Sequence, residues 1–253
     1  MPTLIFLHGL LGTKADWQIV IKKLSKIAPQ FDYVALDLPL HGENKHVEVA
    51  DFEQTAQFIS QQICQKNQNK PYILIGYSLG GRIALYYALQ AQCEKGNLQG
   101  IILEGANLGL HSEQEKQQRW QSDQQWAKCF MIENPEKVLQ DWYQQPVFAH
   151  LTLLQRADLI AKRAANCGEN IGKMLLATSL AKQPDFSSSV QSTDLPIYYL
   201  VGEQDQKFNQ MATAKGLMFC QIPQAGHNAH LENPDAFAEQ LRRFAFEIVK
   251  LPL

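Results

Sequence analysis

An α/β fold is what this sequence predicts: a mostly parallel sheet with helices on both faces and a helical insertion in its second half. Three observations carry that expectation. Apolar runs of four to six residues alternate with segments of helical spacing, as strands buried on both faces of a parallel sheet require. One run, Ile73-Leu74-Ile75, enters Gly76-Tyr77-Ser78-Leu79-Gly80 and then the helix-forming stretch Ile83 to Leu89, which reads as a strand, a sharp turn and a helix. Between Asn107 and Ser192 no convincing strand occurs, and about four helical segments follow one another.

Taken in order, the chain opens on the strand Thr3 to Leu7, stopped by His8-Gly9-Leu10-Leu11-Gly12. Lys14 to Ile27 has helical spacing through Trp17, Ile21 and Leu24. Tyr33 to Leu36 is the second strand and ends in Asp37-Leu38-Pro39-Leu40-His41-Gly42; its helix runs from Asp51 through Phe52, Ala56, Ile59 and Ile63. After the Ser78 unit, Gly100 to Leu103 is a strand whose end carries Glu104-Gly105-Ala106-Asn107. The insertion has clear helix starts: Ser112-x-x-Glu115 and Thr152-x-x-Gln155 are capping boxes, and Asn134-Pro135 sets a cap residue before proline. Pro146 and Gly168 read as stops, and Pro184 as the end of the last helix. Ile197 to Val201 and Met218 to Ile222 are later strands, and Pro234 to Val249 is the closing helix. The division is a core of residues 1–106 and 193–253 with an inserted cap over 107–192. Ligands in an open parallel sheet sit beyond the carboxyl ends of the strands, so the cap is expected over the site.

Composition bounds the function classes. With 253 residues and 45% hydrophobic content the chain can bury one sizeable core with an insertion. A net charge of -2 leaves no footprint for nucleic acid or an acidic membrane surface. The five cysteines are scattered, odd in number and free of Cys-x-x-Cys spacing, which fits reduced thiols in a cytoplasm. No charged-then-apolar leader precedes the first strand, and no apolar run approaches the roughly 18 residues of a membrane span.

The chemistry begins at Ser78. A strand-turn-helix context holds such a serine in a strained conformation with its hydroxyl above the sheet, and the N–H groups of the following helix point at the same place. A surface serine in a glycine-rich loop is the plainer reading, but it leaves the flanking strand and helix without a purpose. A nucleophilic or basic serine needs a base, and the base needs a carboxylate. Gly202-Glu203-Gln204-Asp205 puts an acid on a loop after one strand, and Ala225-Gly226-His227 puts a histidine on a loop after the next. The order Ser78, Asp205, His227 is that of the α/β-hydrolase fold. Backbone N–H groups of Leu10 and Leu79 are the candidate oxyanion hole. Glu203 and Glu104 remain competing acids. His230 beside His227 suggests a metal pair, but no third ligand pattern accompanies it, so no metal is expected. Asp37, His41 and His8 are expected to shape their loops.

The cap segments Ser122-Asp123-Gln124-Gln125-Trp126, Asp141-Trp142-Tyr143-Gln144-Gln145-Pro146-Val147-Phe148 and Ala177-Thr178-Ser179-Leu180-Ala181 are more specific than these fold-wide motifs. With Ala225-Gly226-His227-Asn228-Ala229-His230 they give a chain that, over nearly its whole length, resembles the 2-succinyl-6-hydroxy-2,4-cyclohexadiene-1-carboxylate synthases of menaquinone (vitamin K2) biosynthesis, lyases of the α/β-hydrolase fold. The resemblance implies proton removal next to a succinyl ketone and expulsion of pyruvate, without metal or organic cofactor. It also implies a small substrate with three carboxylates, bound by Arg119 and Arg163 of the cap together with Tyr77, Arg82 and Trp142. Leu40 departs from the family's glycine and puts that loop's conformation in question. A monomer or weak homo-oligomer is expected.

Physical reading alone leaves two roles open for the cap residues. Arg119 shares a helix face with Asp123, Trp126 and Phe130, so it is either an inward ligand cation or half of a structural ion pair with Asp123. Arg163 sits near a helix end, where the dipole favours it regardless. Trp142 is either core or ligand contact. An esterase or carbon–carbon-bond hydrolase would use the same triad with water and needs no cap arginines. A non-catalytic receptor would not need the triad.

Overall fold

The computed structural model describes residues 1–251. Six strands, β1 (Thr3–Leu7), β2 (Asp32–Leu36), β3 (Tyr72–Tyr77), β4 (Leu98–Glu104), β5 (Ile197–Gly202) and β6 (Phe219–Ile222), form one sheet in the order β2-β1-β3-β4-β5-β6. Every pairing is parallel. Alternation along β1 shows why the sheet is covered twice. Ile5 and Leu7 join the core under α2 (Phe52–Asn67) and α3 (Leu79–Leu89), whereas Leu4 and Phe6 join the core under α1 (Gln18–Ile27) and α11 (Pro234–Val249). Leu7 pairs with Gly76, and Tyr77 with Glu104, so the carboxyl ends of β1, β3 and β4 are level. The loops after them therefore open on one edge of the sheet.

The region between β4 and β5 holds five α-helices: α4 (Glu113–Ile132), α5 (Pro135–Trp142), α6 (Leu153–Arg163), α7 (Gly168–Ala177) and α8 (Ser187–Ser192). Both capping boxes form, Ser112 with Glu115 and Thr152 with Gln155, and Asn134 caps α5 ahead of Pro135. Three expectations need correction. Gly168 starts α7 instead of stopping α6; a Cβ there would lie 2.1 Å from the Phe130 carbonyl oxygen, so close approach to α4 selects the glycine. Pro146 opens a short 3-10 turn to Phe148, a position where its missing N–H costs nothing. Pro184 is followed by α8, so it separates helical segments and does not end the series.

Leu40 takes the conformation that a glycine would take without strain, with φ +63°. Its N–H donates to the Asn44 carbonyl at 3.0 Å, and its side chain is buried in the core shared with α2. The left-handed backbone costs a leucine about 1–2 kcal/mol, and burying the side chain returns about 1.5–3 kcal/mol. The loop keeps its turn because burial outweighs the strain. Among the described residues no helix is long and apolar enough to cross a membrane, and no group of three or more His, Cys, Asp or Glu side chains is placed to hold a metal ion.

Candidate active site

Ser78 joins β3 to α3 with φ 49° and ψ -107°, a strained conformation worth about 1–3 kcal/mol that the surrounding structure must enforce. Its N–H donates to the Glu104 carbonyl at 2.7 Å, which pins the turn to the end of β4. The turn also needs its glycines for space. A Cβ on Gly76 would lie 2.5 Å from the Gly80 backbone, and one on Gly80 would lie 2.4 Å from the Leu7 carbonyl oxygen. Leu79 is the first residue of α3, where helix geometry leaves the N–H without an intrahelical acceptor. Leu10, from the loop after β1, lines the same cavity as Leu79, Ser78 and His227.

Asp205 caps α9 (Gln206–Ala214), its Oδ1 accepting the Phe208 N–H at 3.3 Å. That leaves Oδ2 for His227 Nδ1, 2.7 Å away, with both side chains buried. A neutral imidazole that donates from Nδ1 presents Nε2 as an acceptor. The ring is clamped: Phe208 stacks on it at 5.0 Å, Tyr77 lies 5.3 Å away, and a Cβ on Gly105 would come within 2.8 Å of its Cε1. Glu232 holds the loop on either side, its Oε2 accepting from Gly226 N–H at 2.8 Å and its Oε1 from Asn228 N–H at 3.0 Å. His150, beyond α5, is 3.0 Å from the same carboxylate and so ties the inserted helices to the histidine loop. Among the described residues no hydrogen bond joins Ser78 Oγ to His227, although the two share one cavity wall. Such bonds commonly tighten only when substrate is bound.

The competing acids are occupied elsewhere. Glu203 is exposed and accepts the Gln224 N–H at 3.0 Å. Glu104 is buried and accepts the His230 N–H at 3.0 Å and its ring Nδ1 at 2.9 Å, while the His230 ring stacks on Trp17 at 4.4 Å. His230 thus braces the loop behind His227. Asp37 takes the N–H groups of Lys14 (2.7 Å) and Glu43 (3.0 Å), and His41 spans the Pro39 and Leu10 carbonyls. Both are loop-forming.

His8 is in the same class, and it has a measurable consequence. Its Nε2 accepts the Leu38 N–H at 3.0 Å and its Nδ1 donates to the Gly9 carbonyl at 2.7 Å, an arrangement that only the neutral ring can make. Burial, aided by nearby His41, pushes its pKa down to about 3. Its contribution is intact above pH 6.5. Below that, the unfolded chain takes up a proton the folded one refuses, so stability falls by ~1.4 kcal/mol per pH unit toward pH 3 from this group. Urea unfolding at pH 7 and pH 5 should show a steeper loss in the wild type than in His8→Gln; equal slopes would remove His8 as the cause.

The cations converge on a cavity of about 200 Å³ beside Ser78. Arg82, in the first turn of α3, is buried with one hydrogen bond, from Nη1 to the Thr178 carbonyl at 2.8 Å. Burial and the charge of Arg119 push its pKa down to about 9, so it stays charged at neutral pH but is short of a counter-anion. Arg119 uses Nε to bind Asp123 Oδ1 at 2.8 Å, and Asp123 Oδ2 accepts from Ser179 at 2.7 Å. Both readings of Arg119 are therefore physical at once: the ion pair aims a side chain that still lines the cavity. Trp142 likewise packs on Trp126 (5.1 Å) and Phe130 (5.4 Å) while lining the cavity. Lys207 also lines it and escaped the sequence reading. The available signal was a lysine in the first turn of a helix, against the dipole, two residues after Asp205.

Arg163 is placed differently. It grips Asp16 with Nη1 to Oδ1 at 3.0 Å and Nη2 to Oδ2 at 2.7 Å, and Lys162 adds a contact to Oδ1 at 2.7 Å. These neighbours hold the Asp16 pKa down to about 2 against the effect of burial. Arg163 lies outside the 200 Å³ cavity and lines a smaller one with Tyr77, Ser78, Trp142 and His227. Tyr77 donates its hydroxyl proton to Asn228 Oδ1, and burial raises its pKa well above the ordinary value.

A family model described as alpha/beta hydrolase fold matches residues 2–234. An Enterobacter sp. protein named 2-succinyl-6-hydroxy-2,4-cyclohexadiene-1-carboxylate synthase is 44% identical over 94% of this chain and 89% of its own length. A Haemophilus influenzae protein whose name gives that activity provisionally is 58% identical over 99% of this chain and all of its own. The chain belongs to this synthase family of the α/β-hydrolase fold. The solved structure of MenH from S. aureus superposes with a TM-score of 0.87 at 27% identity, covering 98% of this chain and 94% of that one.

Proposed function

We propose that this protein is a carbon–oxygen lyase that converts 2-succinyl-5-enolpyruvyl-6-hydroxy-3-cyclohexene-1-carboxylate into 2-succinyl-6-hydroxy-2,4-cyclohexadiene-1-carboxylate and pyruvate in menaquinone biosynthesis. The observation that carries this reading is the gathering of Arg82, Arg119 and Lys207 on the cavity of Ser78 and His227, against the single carboxylate of Asp123. A neutral ester gives three cations nothing to bind, whereas a polycarboxylate supplies the anions that a buried guanidinium lacks.

In this reading Asp205 orients His227, whose Nε2 takes the Ser78 proton as Ser78 Oγ removes the proton from the ring carbon bearing the succinyl ketone. The electron pair moves onto the ketone oxygen, where the Leu10 and Leu79 N–H groups stabilise it. Its return through the ring double bond breaks the C–O bond to the enolpyruvyl group, and the departing enolate takes a proton to become pyruvate. Water is not a reactant and no acyl-enzyme forms. Tyr77, Arg82, Arg119, Trp142 and Arg163 bind substrate, residues 107–192 act as the cap, and no metal or organic cofactor takes part. The setting is cytoplasmic, the partner is the small polycarboxylate alone, and the protein is a monomer or weak homo-oligomer. Incubation with the cyclohexene substrate, with pyruvate followed by a coupled dehydrogenase, tests the proposal: stoichiometric pyruvate is expected, and hydrolysis of simple esters without it would replace the lyase by an esterase.

A further inference from the structure

Glu232, the last residue of α10 (Ala229–Glu232), brackets His227. Its Oε2 accepts the Gly226 N–H at 2.8 Å and its Oε1 the Asn228 N–H at 3.0 Å, so the residues on both sides of the histidine hang on one carboxylate. A third donor comes from the insertion. His150 lies two residues past the turn Pro146–Phe148, and its Nε2 is 3.0 Å from Glu232 Oε1. The pair is withdrawn from water, with 11% of the His150 side chain and 9% of the Glu232 side chain exposed, where a charge-assisted hydrogen bond is stronger than on an open surface. Burial acts to raise the Glu232 pKa, but the His150 bond and the two N–H groups hold it below its ordinary value.

Two further contacts make the meeting specific. The His150 ring lies on Gly226, where a Cβ would stand 2.1 Å from its Cε1, so only glycine at 226 admits the imidazole. Phe148 meets the His227 ring edge-on at 5.8 Å. One short segment of the insertion therefore touches the His227 ring with Phe148 and the loop that carries the ring with His150. Pro146, His150 and residues 203–207 line a cleft of about 940 Å³, so packing between this segment and the Asp205 loop is interrupted and few contacts can replace the His150 bond. His150 lines neither cavity that reaches Ser78, which separates positioning from substrate binding. Resting on His227 as the base of the reaction proposed above, we propose that His150 is a positioning residue that holds the Glu232 carboxylate, and through it the His227 loop, only while the insertion is docked. Lifting of the insertion breaks that bond and loosens the loop, so the base is set when the helices stand over the site. An imidazole with a proton on Nε2 donates whether neutral or charged, and the contact persists across neutral pH.

The test compares the wild type with His150→Met, His150→Gln and Glu232→Gln. Amide hydrogen exchange, steady-state pyruvate release and the rate at which a fluorophosphonate labels Ser78 are measured, with melting temperatures as a check on folding. His150→Met removes the donor, whereas His150→Gln puts an amide N–H near the place of Nε2. In His150→Met the Gly226 and Asn228 amides should exchange at least tenfold faster while those of β1 are unchanged. Its kcat and labelling rate should fall about tenfold with KM within about twofold, as expected of a group that orients the base without touching substrate. His150→Gln should stay within about threefold of the wild type on each count. Glu232→Gln has one oxygen where the carboxylate has two, and should lose at least as much kcat as His150→Met. Unchanged exchange at 226 and 228 in His150→Met, a raised KM with kcat intact, or no recovery in His150→Gln would overturn the positioning role. Should His150→Met not fold, the wild type decides: the Leu151 amide, bonded to the Phe148 carbonyl at 3.1 Å, should share one urea dependence of exchange with Gly226, and separate dependences would overturn the coupling. A wild type that labels with fluorophosphonate, and does so tenfold faster than His150→Met, but releases no pyruvate would overturn the proposed reaction and keep the positioning role.

Discussion

Ser78→Ala and His227→Ala are each expected to lower kcat/KM by about 10²- to 10⁴-fold, the range over which a positioned base contributes. The double substitution should cost little more than either alone, because a proton-transfer unit fails once any member is missing. Asp205→Asn should join them: Oδ2 alone meets His227 Nδ1, at 2.7 Å, and an amide in that place can present its NH2 group and favour the wrong tautomer. Steady-state kinetics on the three single variants and the Ser78/His227 double variant would decide it. Glu104→Gln is the informative control. Glu104 holds the Ser78 N–H through its backbone carbonyl and His230 through its carboxylate, so its side chain positions the loop without touching His227. Full activity in Asp205→Asn with loss in Glu104→Gln would move the acid to Glu104.

The second large effect belongs to the cations. Hydrogen bonds to charged groups are worth about 1.5–3 kcal/mol, so Arg82→Gln and Arg119→Gln should each reduce kcat/KM for the polyanionic substrate by roughly ten- to 150-fold. Arg82 is expected to be the more severe. It is buried with one carbonyl partner, whereas Arg119 is a third exposed and already shares its charge with Asp123. Lysine at position 119 should rescue only in part, keeping the charge but losing the planar fork that meets both Asp123 and a carboxylate. Slow turnover of a small neutral ester, measured in parallel, should be nearly unchanged. Equal losses toward both substrates, in variants with wild-type melting temperatures, would make these arginines structural.

Much of the fold was legible because its signals are local. The Gly76 to Gly80 turn, the capping residues Ser112, Asn134 and Thr152, and the closing helix from Pro234 to Val249 each depend on neighbours within a few positions. Side-chain type and spacing suffice there. The order Ser78, Asp205, His227 was legible for a related reason: a parallel sheet sends each strand's carboxyl end to one edge, so residues just after strands must meet.

What the sequence could not decide turns on distances between segments far apart in the chain. Gly168 reads as a stop until α4 is seen to bring the Phe130 carbonyl within 2.1 Å of where its Cβ would stand. Two carboxylates at strand ends, Glu104 and Asp205, look alike as letters, and only packing gives one to His230 and the other to His227. The two cap arginines also look alike, but Arg163 meets Asp16, 147 positions away, whereas Arg119 meets Asp123 on its own helix. The sequence by itself determined which candidate residues stand just after the strands and the edge of the sheet on which they gather. Tertiary structure alone decided how the charges are shared, because an ion pair or an orphaned donor is settled by a few ångströms between segments whose approach no local pattern encodes.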